Sequence, residues 1–440
     1  MLPTVGRFAA PPAFNPVTPR TIAEKVLSTQ SGALARAGDT VVCDVDLVLG
    51  TDASAPMAIA YFDKMGGTRI HDPSRVIFAL DHYTPTSASD KTAGFHAQVR
   101  EFARAQGVRV YEVGEGISHT VAVERGHVRP GMLVVGADSH TVTCGALNAF
   151  AIGVGSSDLA AAMLTGQLWL RVPQTIRVVL DGARPPGVAA KDIALAMVAA
   201  LGTDGADYHA LELGGPAARD FTLDDRLVVS NLAVEAGAKA ALWDADDVVI
   251  THLEARDIHD VQPVRADPGA RYARELVLDL SSLTPRVALP HSPGNVVPID
   301  AAPDTRIHMV YLGTCTGGRV GDYHEALELL ERGGGRIADG VQLVVTPASR
   351  EIERQLTDDG TLDRLARMGA VITSPGCGAC CGTSGVIPSD GMNVISTANR
   401  NFKARMGNAT ASIYLASPAA CAAAALTGRI TDPRSVRAAT

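Results

Sequence analysis

Short apolar runs alternate along this chain with longer amphipathic stretches. Val76-Ile-Phe-Ala-Leu80, Val108-Arg-Val-Tyr111, Met132-Leu-Val-Val135, Val178-Val-Leu180 and Leu343-Val-Val345 read as buried strands. Helices are predicted over 93–106, 158–165, 191–201, 323–332 and 349–368, and again from Pro418 to Leu426, where a proline suits the first turn. Strands and helices in alternation are the pattern of α/β layers.

Two breaks interrupt the pattern. Residues 1–20 hold four prolines between Pro11 and Pro19 and no charge between Arg7 and Arg20, so they read as a loosely ordered arm. A second proline-rich polar stretch from Leu283 to Pro303 is the candidate linker. With a softer boundary near Val172-Pro173, the expected division is an arm (1–20) and three α/β domains over 21–172, 173–285 and 286–440. A chain of 440 residues is long enough for three cores of ordinary size.

Composition narrows the class of function. No apolar run approaches the roughly 20 residues of a membrane span, and no start resembles a secretory signal. Seven cysteines, an odd number, argue for a reducing compartment, so a cytoplasmic protein is expected. A net charge of −8 offers no general basic surface for nucleic acid or membrane. Any acidic substrate must therefore meet positive charge that is concentrated locally.

Candidate chemistry gathers in Ser374-Pro-Gly-Cys-Gly-Ala-Cys-Cys-Gly382, where Cys377 and Cys380 form a C-x-x-C turn among glycines. Such a turn lets two thiolates converge on one metal centre without backbone strain. A third thiol, Cys315, sits 62 residues upstream in Gly313-Thr-Cys-Thr-Gly-Gly-Arg319. Three protein ligands leave a coordination position open to substrate, whereas structural zinc and electron-transfer clusters take four. From spacing alone, a zinc half-site, a redox dithiol and a tight turn with buried thiols all stay open. Cys381 reads as a buried thiol or as an alternative ligand beside Cys380, with the thiol favoured, and Cys43, Cys144 and Cys421 read as core thiols among apolar neighbours.

Other polar residues stand where α/β enzymes keep their chemistry. Asp81-His82, His119 and Asp138-Ser139-His140 lie at the ends of apolar runs or in the loops that follow. Asn231 and Glu235 are four apart, which would bring them side by side on a helix. Arg400 and Arg405, close to Asn399, offer two planar guanidinium forks that can grip a dicarboxylate.

Gly136-Ala-Asp-Ser-His-Thr141, Leu80-Asp-His82, the cysteine motifs and Ser396-Thr-Ala-Asn-Arg-Asn-Phe-Lys-Ala-Arg-Met-Gly407 together resemble the aconitase superfamily. The similarity is greatest to the large subunits of its isopropylmalate and homoaconitate isomerase branch. It runs from Thr21-Ile-Ala-Glu-Lys25 to Gly428-Arg-Ile-Thr-Asp-Pro433. It implies a three-domain α/β architecture with largely parallel sheets around a central cluster site. It also implies a hydro-lyase that dehydrates and rehydrates a 2-hydroxy di- or tricarboxylate, 3-isopropylmalate first, with homoaconitate, dimethylmalate or citrate as alternatives.

Carried over residue by residue, the resemblance makes Cys315, Cys377 and Cys380 the ligands of a 4Fe-4S cluster. It pairs His82 with Asp81, His119 with Asp138 and His140 with Glu235 as the acid-base set. It gives substrate contacts to Asp52, Ser54, Ser139, Asn231, Asn399, Arg400 and Arg405. The base that takes the substrate's α-proton belongs in the family to a serine on a small swivelling domain. No such motif precedes Thr440, so a separate small subunit is the expected partner. The chain departs from its relatives at Thr51, where they carry glutamine or histidine, and at Gly317-Gly318, where they commonly read Asn-Ser. The second change predicts altered hydrogen bonding around the Cys315 sulfur. Two readings of other classes remain, an RNA-binding regulator without its cluster and a zinc-stapled structural subunit. The acidic balance speaks against the first.

Overall fold

The computed structural model describes residues 18–85, 89–383 and 386–438. The expected arm therefore lies outside the described residues except for 18–20, of which Arg20 donates its backbone N–H to Asp267 at 2.9 Å.

Three parallel or mostly parallel sheets form the framework. The first has five strands, in the order Arg109–Tyr111, Val76–Ala79, Leu47–Thr51, Leu133–Gly136 and Phe150–Gly153, all parallel. The second has four parallel strands drawn from Gln174–Asp181, His209–Gly214, Ala240–Trp243 and Arg274–Asp279. The third has seven strands, with Met309–Gly313, Gln342–Thr346, Val371–Ile372, Asn393–Ser396 and Ser412–Ala416 parallel to one another. A two-stranded antiparallel ribbon pairs Thr40–Asp44 with Gln167–Arg171.

Continuous apolar runs form strands here because both faces of each sheet are covered. In the first sheet Leu47, Leu49, Ile77 and Val134 enter one core, while Val48, Val76, Phe78 and Val135 enter another, following the alternation of side chains along a strand. The first of these cores continues into the second sheet through Ile176, Val178 and Leu211. No gap in packing marks the Val172-Pro173 boundary. The helix Ala190–Leu201 is apolar all round because it is shared: Ile193 and Met197 join that core, and Leu195 faces the third sheet with Met309 and Tyr311.

Two expectations need correction. The stretch proposed as a linker, from Leu283 to Pro303, is not a free connection. Its strands Arg286–Ala288 and Val296–Pro298 pair with each other and extend the third sheet past Ser412–Ala416, antiparallel to it. Prolines are tolerated there because edge strands spare an N–H. The single helix predicted over 349–368 is two, Arg350–Asp358 and Thr361–Arg367. Gly360, in the left-handed conformation at φ 78°, breaks the run between them.

Candidate active site

The carboxyl ends of the first and third sheets meet, and the loops leaving those ends build one site. From the first sheet, Leu47–Thr51 leads to Asp52 and Ser54, Val76–Ala79 to Asp81 and His82, and Leu133–Gly136 to Asp138, Ser139 and His140. From the third, Met309–Gly313 leads to Cys315, Val371–Ile372 to Cys377 and Cys380, and Asn393–Ser396 to Asn399 and Arg400. Backbone bonds join the halves. Cys377 donates its N–H to the Asp81 carbonyl at 2.9 Å, and Thr383 donates its hydroxyl to the His82 carbonyl at 2.8 Å. Gly376, at φ 150°, lets the strands of loop approach: a Cβ there would lie 2.9 Å from the Asp81 carbonyl oxygen.

Between the loops lies a cavity of about 250 Å³. Its wall includes Ser54, His82, His119, Asp138, Ser139, His140, the three thiols Cys315, Cys377 and Cys380, and Asn399, Arg400 and Arg405.

The imidazoles differ in their support. His82 meets the Asp81 carboxylate through Nδ1 at 2.7 Å, and the other Asp81 oxygen accepts the Ser118 N–H at 2.8 Å. Burial alone would lower the His82 pKa, but the Cys377 sulfur and Asp81 outweigh it and hold the ring well above its ordinary value. His140 meets Glu235 through Nε2 at 3.1 Å, and Arg400 donates to the same Glu235 oxygen at 2.7 Å. Although burial works against ionisation, these two partners keep the Glu235 carboxyl below its usual range.

His119 is the exception. Its expected pairing with Asp138 is not a hydrogen bond, because both ring nitrogens are buried and without a partner among the described residues. Asp138 is engaged elsewhere: it caps its own helical turn by accepting the His140 N–H at 2.7 Å, and it lies 3.7 Å from His82 Nε2. Desolvation pushes His119 down to about 3, so it is a neutral imidazole at any working pH.

Asp52 is also placed differently from expectation. It is fully buried behind the wall, where it accepts the N–H groups of His82 and Tyr83 and the Nε2 of His96, each at 2.9 Å. Its carboxylate is saturated by these donors, so it positions the His82 loop rather than touching a substrate. Asn231 is likewise behind the wall. It donates to the Cys315 sulfur at 3.1 Å and to Thr143 at 2.8 Å, while Asn399 donates to the same sulfur at 3.3 Å. The Cys315 sulfur thus receives two amide donors, from Asn231 and Asn399, beside Gly317-Gly318. A side chain at 317 has no room, since a Cβ would stand 2.2 Å from Thr397.

The donor set suits a multinuclear centre. Cys315, Cys377 and Cys380 surround one cavity, yet they are not the tight group of three: among the described residues the donors within 4.8 Å of one another are Asp81, His82 and Cys377. Thiols spread around a common space can ligate separate irons of one cluster, which a single zinc ion would not satisfy. Arg405 Nη2 lies 3.7 Å from the Cys380 sulfur, and its buried Nε has no hydrogen-bond partner among the described residues. Orphaned polar groups on His119 and Arg405 mark the wall as built for a polar occupant. Cys381 is outside the wall and meets Thr383 Oγ1 at 2.7 Å.

Several participants had no sequence signal. Ala53, Ala137 and Thr314 line the cavity as small residues beside Thr51, and His96 reaches Asp52 from the interior of an amphipathic helix. Thr314 is strained, a β-branched residue at φ 72° immediately before Cys315.

Known proteins bear on this geometry. The model of the aconitase family (aconitate hydratase) matches residues 24–305 and 300–428. The chain is 44% identical over 416 residues to 3-isopropylmalate dehydratase large subunit 1 of Methanopyrus kandleri, covering 94% of this chain and 99% of that one. Large subunit 2 of Archaeoglobus fulgidus is also 44% identical, with the same coverage, and large subunit 1 of Thermotoga maritima is 42% identical. A solved structure, the holo-form of Thermococcus kodakaraensis aconitase X, superposes with a TM-score of 0.47 at 13% identity, covering 86% of this chain and 88% of that one.

Proposed function

The chain belongs to the aconitase family, and from that membership we propose that it is the large subunit of a 3-isopropylmalate dehydratase of leucine biosynthesis. It would interconvert 3-isopropylmalate and 2-isopropylmalate by losing and regaining water. The observation that carries the reading is the single cavity onto which three thiols, three imidazoles and two arginines converge.

Cys315, Cys377 and Cys380 would hold a 4Fe-4S cluster, which supplies a Lewis acid with a coordination position open to the substrate's hydroxyl and carboxylate. The protein's own groups do the rest. Arg405, whose buried Nε has no partner among the described residues, and the part of Arg400 not held by Glu235 bind carboxylate. Ser54, Ser139 and Asn399 line the same space and orient the substrate. His82, kept protonated by Asp81 and Cys377, holds a proton for the departing hydroxyl. His140 is fixed by Glu235, and neutral His119 can accept or donate one hydrogen bond without adding charge. A serine on a separate small subunit with a swivelling domain takes the α-proton. Three domains over 21–172, 173–285 and 286–440 frame the site. We place the protein in the cytoplasm, where thiols stay reduced; among the described residues no helix is long and apolar enough to cross a membrane.

Metal and sulfide analysis of protein purified under argon tests the reading. Iron with acid-labile sulfide and a brown colour is the expected result, and stoichiometric zinc without sulfide overturns it.

A further inference from the structure

Lys191 is a buried cation that the reaction as described does not use. It is 2% exposed, at the start of the shared helix Ala190–Leu201, and it reaches out of the second sheet's layer into the third. Its Nζ donates to the carbonyls of Thr397 at 2.9 Å and Ala398 at 2.5 Å, and lies 3.5 Å from Thr316 Oγ1. Those acceptors belong to two loops. Thr316 follows Cys315, and Thr397-Ala398 precede Asn399 and Arg400. Thr316 also donates to the Thr397 carbonyl at 2.7 Å, so the ammonium closes a bridge between the two loops.

Three acceptors match the three N–H bonds of an ammonium, whereas a neutral amine has two. Burial pushes the pKa of Lys191 down to about 8, which still leaves the group protonated at neutral pH. Asp322 and Glu325 line the same cavity as Lys191, and burial pushes their carboxyls up to about 7 and about 8, while Arg319 adds a second cation whose Nη2 donates to the Cys315 carbonyl at 3.4 Å. Asp192, the neighbouring acid, receives the backbone N–H groups of Ala189 at 2.8 Å and Arg286 at 2.7 Å, and burial pushes its carboxyl up to about 7.

A cluster with three thiolate ligands carries net negative charge, and its potential depends on the charge and hydrogen bonds around it. We propose that Lys191 is a positioning residue for the cluster: it ties the Cys315 loop to the loop of Asn399 and Arg400, and its buried positive charge raises the cluster's reduction potential. The inference rests on the cluster reading above and goes beyond it by assigning a role to a residue from another layer that touches neither cluster sulfur nor substrate. It also gives a role to the buried lysine in the first turn of a helix whose later turns are apolar.

The test compares Lys191→Gln, Lys191→Met and Lys191→Arg with the unsubstituted chain, each loaded with iron and sulfide under argon. Glutamine keeps donors for the loop carbonyls without the charge, so it folds even where methionine does not. The midpoint potential is read by reductive titration followed by electron paramagnetic resonance, and iron release by a chelator is followed in parallel. Both neutral variants are expected at a more negative potential, Lys191→Met with faster iron release as well, and Lys191→Arg at the parent value. One potential and one release rate shared by all four proteins overturns the inference while leaving the cluster reading intact. Failure of the unsubstituted chain to take up iron and sulfide removes that reading, and the inference with it.

Discussion

A buried group in this site is defined by which neighbour has already claimed it. Asp138 and Asp52 illustrate the point, because one lies on the cavity wall and the other behind it, and each serves donors other than those expected: the His140 N–H for one, and His96 with two backbone amides for the other. Position in the sequence indicated the neighbourhood. It could not indicate the partner, since hydrogen-bond assignment depends on distances of a few tenths of an ångström set by loops far apart in the chain. The same reasoning separates two adjacent cysteines. Cys380 faces the cavity beside Asn399 and Arg405, whereas Cys381 turns to Thr383 and the Gly378 carbonyl. Cys380→Ser is therefore expected to strip the iron–sulfur absorption or leave it decaying within a preparation, and Cys381→Ser to retain the parent iron content. Iron and sulfide assays on both variants check this, and the reverse pattern would move the ligand by one residue.

Secondary-structure elements were the most legible level, for a physical reason. Strands covered on both faces announce themselves as apolar runs, and the five strands read from the sequence all fall within observed strands or extend them by a residue. What escaped were features decided by partners: the proline-rich 283–303 stretch became sheet because Ser412–Ala416 offered it an edge, and Gly360 split a helix whose apolar spacing continued across the break. Glu212 is a further case, a charged residue inside the strand His209–Gly214. It is fully buried and accepts the Ala23 N–H and the Tyr272 hydroxyl, both at 3.1 Å, so it ties the N-terminal helix Ile22–Ser31 to the second sheet. Burial raises its carboxyl from 4.5 to about 7. Between those values the folded chain holds a proton that the unfolded chain has released, so stability falls as pH rises through this window and stays lower above it. The loss is on the order of 3 kcal/mol. Glu212→Gln keeps an acceptor for Ala23 without the charge. Its melting temperature is expected to gain on the parent's between about pH 5 and about pH 8, and a constant difference across that range would count against the assignment.

At the scale of the whole molecule, the catalytic constellation spans two sheets and draws support from a third, as the Lys191 bridge and the continuous first core both require. The cavity wall holds three imidazoles, two arginines and three thiols, and the serines on it sit in loop turns: Ser54 shares its hydroxyl with Thr51 at 3.0 Å, and Ser139 sits in the turn capped by Asp138. Neither serine hydroxyl has a hydrogen bond to a histidine or carboxylate among the described residues. The relatives that match along 94% of this chain are themselves named large subunits, which implies a small one. An acid-base mechanism lacking its base forfeits about a hundred- to ten-thousandfold in rate. Loaded with iron and sulfide, this chain alone is therefore expected to bind its cluster and to leave isopropylmalate unchanged. Addition of a purified small subunit of a 3-isopropylmalate dehydratase is expected to restore dehydration, followed as formation of the alkene by ultraviolet absorption. Turnover by the chain alone at a rate matching the two-subunit mixture would place the base within these loops, with Ser139 the first residue to replace.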